Sequence, residues 1–268
     1  MTKSDQEYYY LTIGGFIIEI FFCPQKEEVC LSQRKRLMSE VKQEFLPFLT
    51  KKPKTADARI EFHFRIPIVF PFDKKKNRLF FITYFIDEGD KILTYYYLNA
   101  FQFSYLLLYV LHKLLVRHQG FVLHASACLI NDRIDLFMGP SGAGKTTVLN
   151  NLKKYYRPFA DDTVIVRKKG SDFRVYQTPL NESNRKMIKA SSKSYRLGRI
   201  FFIHKARSDR IDKIAETESV IARLSNQLRS RKQDKSQQFK TLLQLVNKKI
   251  FFELYFKKVS ADLGQLLV

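Results

Sequence analysis

The chain has 268 residues, enough for one large domain or two modest ones. Hydrophobic residues make up 45% and aromatics 14%, which argues against a disordered chain. A formal net charge of +21 attracts polyanions, whether nucleic acid, acidic membrane or nucleotide. The positive residues are spread along the chain, without an RGG tract or a lysine-rich tail, which argues against nucleic acid as the main partner. Cys23, Cys30 and Cys128 are odd in number and fit no zinc or redox spacing, so reduced thiols and a cytoplasmic location are expected. The polar start of the chain lacks an apolar signal core. The most membrane-like run, 103–116, is interrupted by His112 and Lys113 and is shorter than the ~20 residues of a span. It reads as a buried helix, and no membrane partner is expected.

Residues 1–115 read as a β-rich scaffold or recognition part. Two strand-like runs, 8–13 and 16–22, are joined by Gly14-Gly15, a hairpin signal. Leu37, Met38, Val41 and Phe45 recur at helical spacing, which predicts a helix over 32–45 stopped by Pro47. Ile60, Phe62, Phe64 and Ile66 alternate with polar residues, the mark of a half-buried strand. Further strands are expected over 79–86 and 92–98, around Asp87-Glu88-Gly89-Asp90. A helix over 101–118 ends at Gly120, and a linker is expected near 115–120.

From residue 116 the pattern changes to α/β. Apolar strands are expected over 121–130 and 134–138, followed by a glycine-rich turn and a helix over 146–156 closed by Pro158. The runs 163–166 and 173–176 read as a hairpin around Gly170-Ser171. A strand over 200–204, helices around Leu224 and Leu242, and a last strand over 250–256 complete the reading.

Gly139-Pro140-Ser141-Gly142-Ala143-Gly144-Lys145-Thr146 fits the pattern G-x-x-x-x-G-K-[ST], with an apolar strand before it and a helical run after it. Glycines let the backbone curl with its N–H groups inward, forming an anion nest. The helix start, with Thr147 in its first turn, adds a positive dipole end. The Lys145 ammonium can reach β- and γ-phosphates, and the Thr146 hydroxyl is placed to ligate Mg²⁺. A nucleoside triphosphate, ATP or GTP, is therefore the expected ligand.

Asp161-Asp162 follows Lys145 by a length that fits a short helix, a turn and a short strand, which returns the pair toward the phosphates. Adjacent carboxylates can divide two tasks, holding Mg²⁺ and accepting a proton from an attacking hydroxyl. A solvated turn is the alternative for an isolated Asp pair. His124 interrupts an otherwise apolar strand, where a hydrogen-bonded core histidine is as good a reading as a site residue.

Together, Leu123-His124-Ala125-Ser126-Ala127, the run 139–146 and Phe159-Ala160-Asp161-Asp162 resemble the C-terminal catalytic domain of HPr kinase/phosphorylase, which is similar to the nucleotide-binding fold of phosphoenolpyruvate carboxykinase. The resemblance covers about residues 118–180. It implies a serine-type kinase using ATP and Mg²⁺. It also implies Asp161 as catalytic base and later acid, Asp162 on the metal, and His124 lining the phosphate site. The glutamate-containing signature that HPr kinases carry downstream is absent, so the resemblance is to the broader group of HPr-kinase-like proteins, some of which accompany peptide-modification systems. Phosphoryl transfer to a hydroxyl of a protein, peptide or small molecule is the leading expectation. A non-catalytic nucleotide sensor or assembly module is the second reading, and a nucleotide-dependent nucleic-acid-binding protein the third. Homo-oligomerisation is left open.

Overall fold

The computed structural model describes residues 7–66, 72–73, 78–79, 84–179, 188–260 and 262–267. The chain divides into two compact units, Met1–Leu111 and His112–Val268. In the first, β1 (Tyr8–Ile13) and β2 (Phe16–Phe22) form the expected hairpin, with Ile13 opposite Phe16. Gly14 and Gly15 both take positive φ, 62° and 72°, the left-handed pair that a two-residue turn between right-twisted strands requires. Helix α1 (Glu28–Glu44) starts four residues earlier than expected, its first turn taking in Val29, the buried Cys30 and Leu31 after Glu28. It leads to β3 (Ala58–Ile66), which lies parallel to β2.

Of the strand expected over 79–86, residues 80–83 lie outside the described residues. Leu79 closes β5 (Arg78–Leu79), whose backbone pairs with β4 (Phe72–Asp73), and Ile86 opens β6 (Ile86–Glu88). β6 turns at Gly89-Asp90 into β7 (Lys91–Tyr96), and the five-stranded sheet runs β1-β2-β3-β7-β6. Helix α2 (Ala100–Arg117) covers the first residues of the region read as a linker, which ends in a turn at 118–119, and the division between the units falls inside the helix. No helix among the described residues is long and apolar enough to cross a membrane.

The second unit is mixed α/β. Its strands are β8 (Gly120–His124), β9 (Ser126–Ile130), β10 (Arg133–Met138), β11 (Arg157–Ala160), β12 (Thr163–Lys169), β13 (Asp172–Gln177), β14 (Ser194–Lys205), β15 (Arg210–Lys213), β16 (Leu228–Arg229) and β17 (Phe251–Phe256). They form one sheet, ordered β11-β9-β10-β14-β13-β12-β8-β16, with β17 beside β14 and β15 beside β17. β10, β14 and β17 run parallel, so their carboxyl ends share one edge, where open α/β sheets bind ligands. Side chains alternate between the two faces, as the pleat requires. Phe137 and Phe201 lie in the cluster that packs under α3 (Lys145–Leu152), with Val148, Leu149 and Leu152. Leu136, Ile200 and Phe202 lie in the other cluster, with residues of α4 (Thr217–Gln227) and α5 (Lys235–Val246).

Two sequence expectations change. The run 121–130 is two strands rather than one, broken at Ala125. β8 pairs with β12, whereas β9 pairs with β10 and β11. An apolar run gives no warning of such a break, because both halves are buried and only their partners differ. Helix α3 stops at Leu152, not at 156. The N–H groups of Tyr155 and Tyr156 both donate to the Leu152 carbonyl, closing the last turn tightly. Pro158 lies inside β11 at the sheet edge, where a missing N–H costs no ladder bond on the open side.

Candidate functional site

β10 delivers the chain at Met138 into the loop 139–144, and α3 begins at Lys145. The loop turns through Gly142 at φ 78° and Gly144 at φ 104°, values that residues with a Cβ rarely adopt. A Cβ on Gly144 would also come within 2.7 Å of Phe256 Cζ, and one on Gly139 within 2.8 Å of Ala143 Cβ. The glycines at these positions let the backbone curl and pack closely. The Lys145 ammonium folds back over the curl, donating to the carbonyls of Gly139 at 2.9 Å and Pro140 at 3.3 Å. Burial lowers its pKa, with Arg229 acting in the same direction and Asp162 and Asp161 opposing.

Asp161 and Asp162 follow β11 directly. Their position is set by the last residue of β8, the first of β9 and Ala125 between them. Ser126 Oγ donates to the Asp161 carbonyl at 2.6 Å, and Ala125 N–H to the Asp162 carbonyl at 3.0 Å. His124 Nδ1 lies 3.0 Å from that same carbonyl and 3.0 Å from Asp162 Oδ1. The break at Ala125 thus lets three consecutive residues grip the acidic pair. The Asp161 side chain is buried against α3, and its Oδ1 accepts a hydrogen bond from the Thr146 hydroxyl at 3.1 Å. Asp162 Oδ2 accepts from Thr163 Oγ1 at 2.8 Å and from Arg229 Nη2 at 3.1 Å. Burial lowers the His124 pKa, Lys145 and Arg229 add to that, and Asp162 opposes it, so the imidazole favours its neutral form.

A pocket of about 440 Å³ opens on this arrangement. Every residue singled out from the sequence except Gly139, Pro140 and Ala143 lines it: His124, Ser141, Gly142, Gly144, Lys145, Thr146, Thr147, Asp161 and Asp162. The other three line the adjoining pocket on the outer side of the same loop. Lys205, the last residue of β14, also lines the first pocket. Sequence reasoning misses Arg229, and it cannot tell Lys205, which follows a strand together with Arg207 and Arg210, from a solvated charge. Lys205 carried a faint signal, a cation closing a strand parallel to β10. Arg229 carried none, since it meets Asp162 from 67 residues away.

Oxygen donors from Thr146 and the two carboxylates suit a hard cation such as Mg²⁺. Among the described residues, no group of three or more His, Cys, Asp or Glu forms a metal cage.

A family model described as SynChlorMet cassette protein ScmC matches residues 98–253, more than half of the chain. The chain belongs to the ScmC family. The matched span contains the loop, the acidic pair, His124, Lys205 and Arg229, so the whole pocket lies within the ScmC region. No curated protein matches the chain in sequence. Among solved structures, the Hpr(Ser) kinase/phosphatase from Coxiella burnetii is similar at 8% identity, over 54% of this chain and 89% of its own, with a TM-score of 0.31. A likeness at that score bears on neither the site nor its chemistry.

Proposed function

We propose that this chain binds a Mg²⁺-nucleoside triphosphate in the 440 Å³ pocket and transfers the γ-phosphoryl group to a hydroxyl on a protein, peptide or small molecule. The observation that carries the reading is the convergence of Lys145, Thr146, Asp161, Asp162 and His124 on one pocket at the carboxyl edge of parallel strands. Loop N–H groups and the start of α3 favour phosphate oxygens, and Lys145 exchanges its two carbonyl partners for β- and γ-oxygens. Mg²⁺, when bound, offsets the charge on the phosphates. Asp161 takes the proton of the acceptor hydroxyl as its oxygen bonds to the γ-phosphorus. The bond from that phosphorus to the β–γ bridging oxygen breaks, and the nucleoside diphosphate leaves. His124 and Arg229 fix Asp162, on the metal side, in place. The first unit is proposed as scaffold or acceptor-recognition part.

One observation favours exchanging the two carboxylate roles. Thr146, the hydroxyl suited to the metal, is bonded to Asp161 rather than to Asp162. Nucleotide turnover by Asp161→Asn and Asp162→Asn separates the allocations. Loss of the base slows transfer by ~10² to 10⁴ with Mg²⁺-nucleotide binding kept. Loss of the metal carboxylate weakens the Mg²⁺ dependence of binding. Turnover unchanged in both variants rejects the transfer reading. Tight nucleotide binding with no turnover in the wild type, across hydroxyl acceptors and water, points instead to a nucleotide-binding module.

A further inference from the structure

A second pocket, of about 560 Å³, adjoins the outer side of the loop 139–144. Met138, Ala143, Phe202 and Ile203 give it an apolar wall, and Asn226 and Gln227, in the last turn of α4, contribute amides. Lys205 lines this pocket and the phosphate pocket alike. We infer that this second pocket is the nucleoside subsite of the proposed triphosphate site, with the amides of Asn226 and Gln227 selecting the purine base. The inference rests on the kinase reading given above.

Three features carry it. The first is direction. Asp161 and Asp162 line the phosphate pocket and not the second one, whereas Lys205, at the end of β14, lines both. A triphosphate whose terminal phosphate faces Asp161 and Asp162 therefore extends its other end toward β14 and Lys205. The second is charge. Arg223 lines the second pocket, but its guanidinium forks onto Glu253 at 2.5 and 2.8 Å and stacks on Phe202 at 3.8 Å. Glu253 also bonds His204 Nε2 at 2.6 Å. That wall is charge-compensated, whereas Lys205 makes no ion pair among the described residues. The combined cavity is cationic toward the phosphates and compensated beyond them, which matches a ligand with an anionic tail and a neutral ring. The third is hydrogen-bonding chemistry. A side-chain amide offers a donor and an acceptor, and adenine and guanine differ in both at the ring edge. A pocket built to pair with one edge rejects the other strongly, because the mismatched group is left unpaired.

The test is competition binding to the full chain in Mg²⁺, with ATP, GTP and inorganic tripolyphosphate as probes. The wild type should bind one purine nucleotide at least about tenfold tighter than tripolyphosphate, and prefer it over the other purine. The double variant Asn226→Ala/Gln227→Ala should lose about tenfold in affinity for that nucleotide, or reverse the preference, while tripolyphosphate binding stays unchanged. These amides are exposed or half-buried, so the variant should fold, and an unchanged melting temperature verifies it. Equal wild-type affinities for nucleotide and tripolyphosphate overturn the subsite while keeping the phosphate site. Unchanged purine affinity and preference in the double variant overturn it too, and if transfer alone drops, the pocket belongs to the acceptor. No wild-type binding of any of the three probes overturns the triphosphate reading itself, and the subsite with it.

Discussion

His112 gives the second unit a defined acid sensitivity. It sits in α2 with only 6% of its surface exposed, and its Nδ1 has no hydrogen-bond partner among the described residues. Burial, reinforced by Arg231 and opposed by Asp234, lowers its pKa from 6.5 to about 4. The unfolded chain takes up a proton below about pH 6.5, whereas the folded chain resists until about pH 4. Between these values the unfolded state holds more protons, so stability rises with pH. The contribution is fully present above the unfolded pKa and is lost as pH falls toward the folded one. With about 1.4 kcal/mol per pH unit, the loss reaches about 1.4 kcal/mol at pH 5.5 and about 2.6 kcal/mol at pH 4.5. His112→Leu puts an apolar side chain of similar bulk in its place, which cannot titrate. Urea unfolding of both proteins from about pH 7.5 to 4.5 checks the argument. The wild type should lose stability relative to the variant by these amounts as pH falls. Parallel stability curves would refute the claim that His112 is held neutral by its surroundings.

Other expectations follow from the loop. Lys145→Ala should remove most Mg²⁺-nucleotide affinity in isothermal titration and leave the melting temperature nearly unchanged, since its two bonds go to carbonyls at the edge of a pocket. Equal affinity of both proteins would take Lys145 out of the site. Gly142→Ala and Gly144→Ala make an internal comparison. Both force a Cβ onto positive φ, at a cost of about 1–2 kcal/mol, but only Gly144 also meets Phe256 at 2.7 Å, whereas Gly142 has open space. Chemical denaturation should show the larger loss for Gly144→Ala, and equal losses would contradict the close packing described here.

The sequence was most legible where local chemistry is decisive. Gly14-Gly15 and Gly170-Ser171 mark turns whatever surrounds them, and both hairpins form as read. The loop 139–146, with its strand and helix, is equally local. The break at Ala125 was hidden because alanine is at home inside an apolar strand. What ends β8 there is the competition of β11 and β12 for different halves of one run. β15 was missed because its four residues, Arg-Ile-Asp-Lys, carry a single apolar side chain, and its stability comes from pairing with β17. Arg229 was invisible for a related reason: its role depends on a two-residue strand whose place comes from pairing with β8.

The grip of His124, Ala125 and Ser126 on the acidic pair sets where this chain can tolerate a change of length. The carboxylates are positioned by the strands, not by the segment that joins them to the loop. The turn at Lys153, Lys154 and Tyr155 is exposed, and insertions at exposed turns are absorbed locally. A residue added or removed at 124–126 has no such outlet. It would slide one strand by a single position, turning every side chain on it to the opposite face, and would unhook the Asp pair while the loop stayed intact. In this chain, a change of length between the lysine and the acidic pair should therefore be tolerated, whereas one between the histidine and the serine should not.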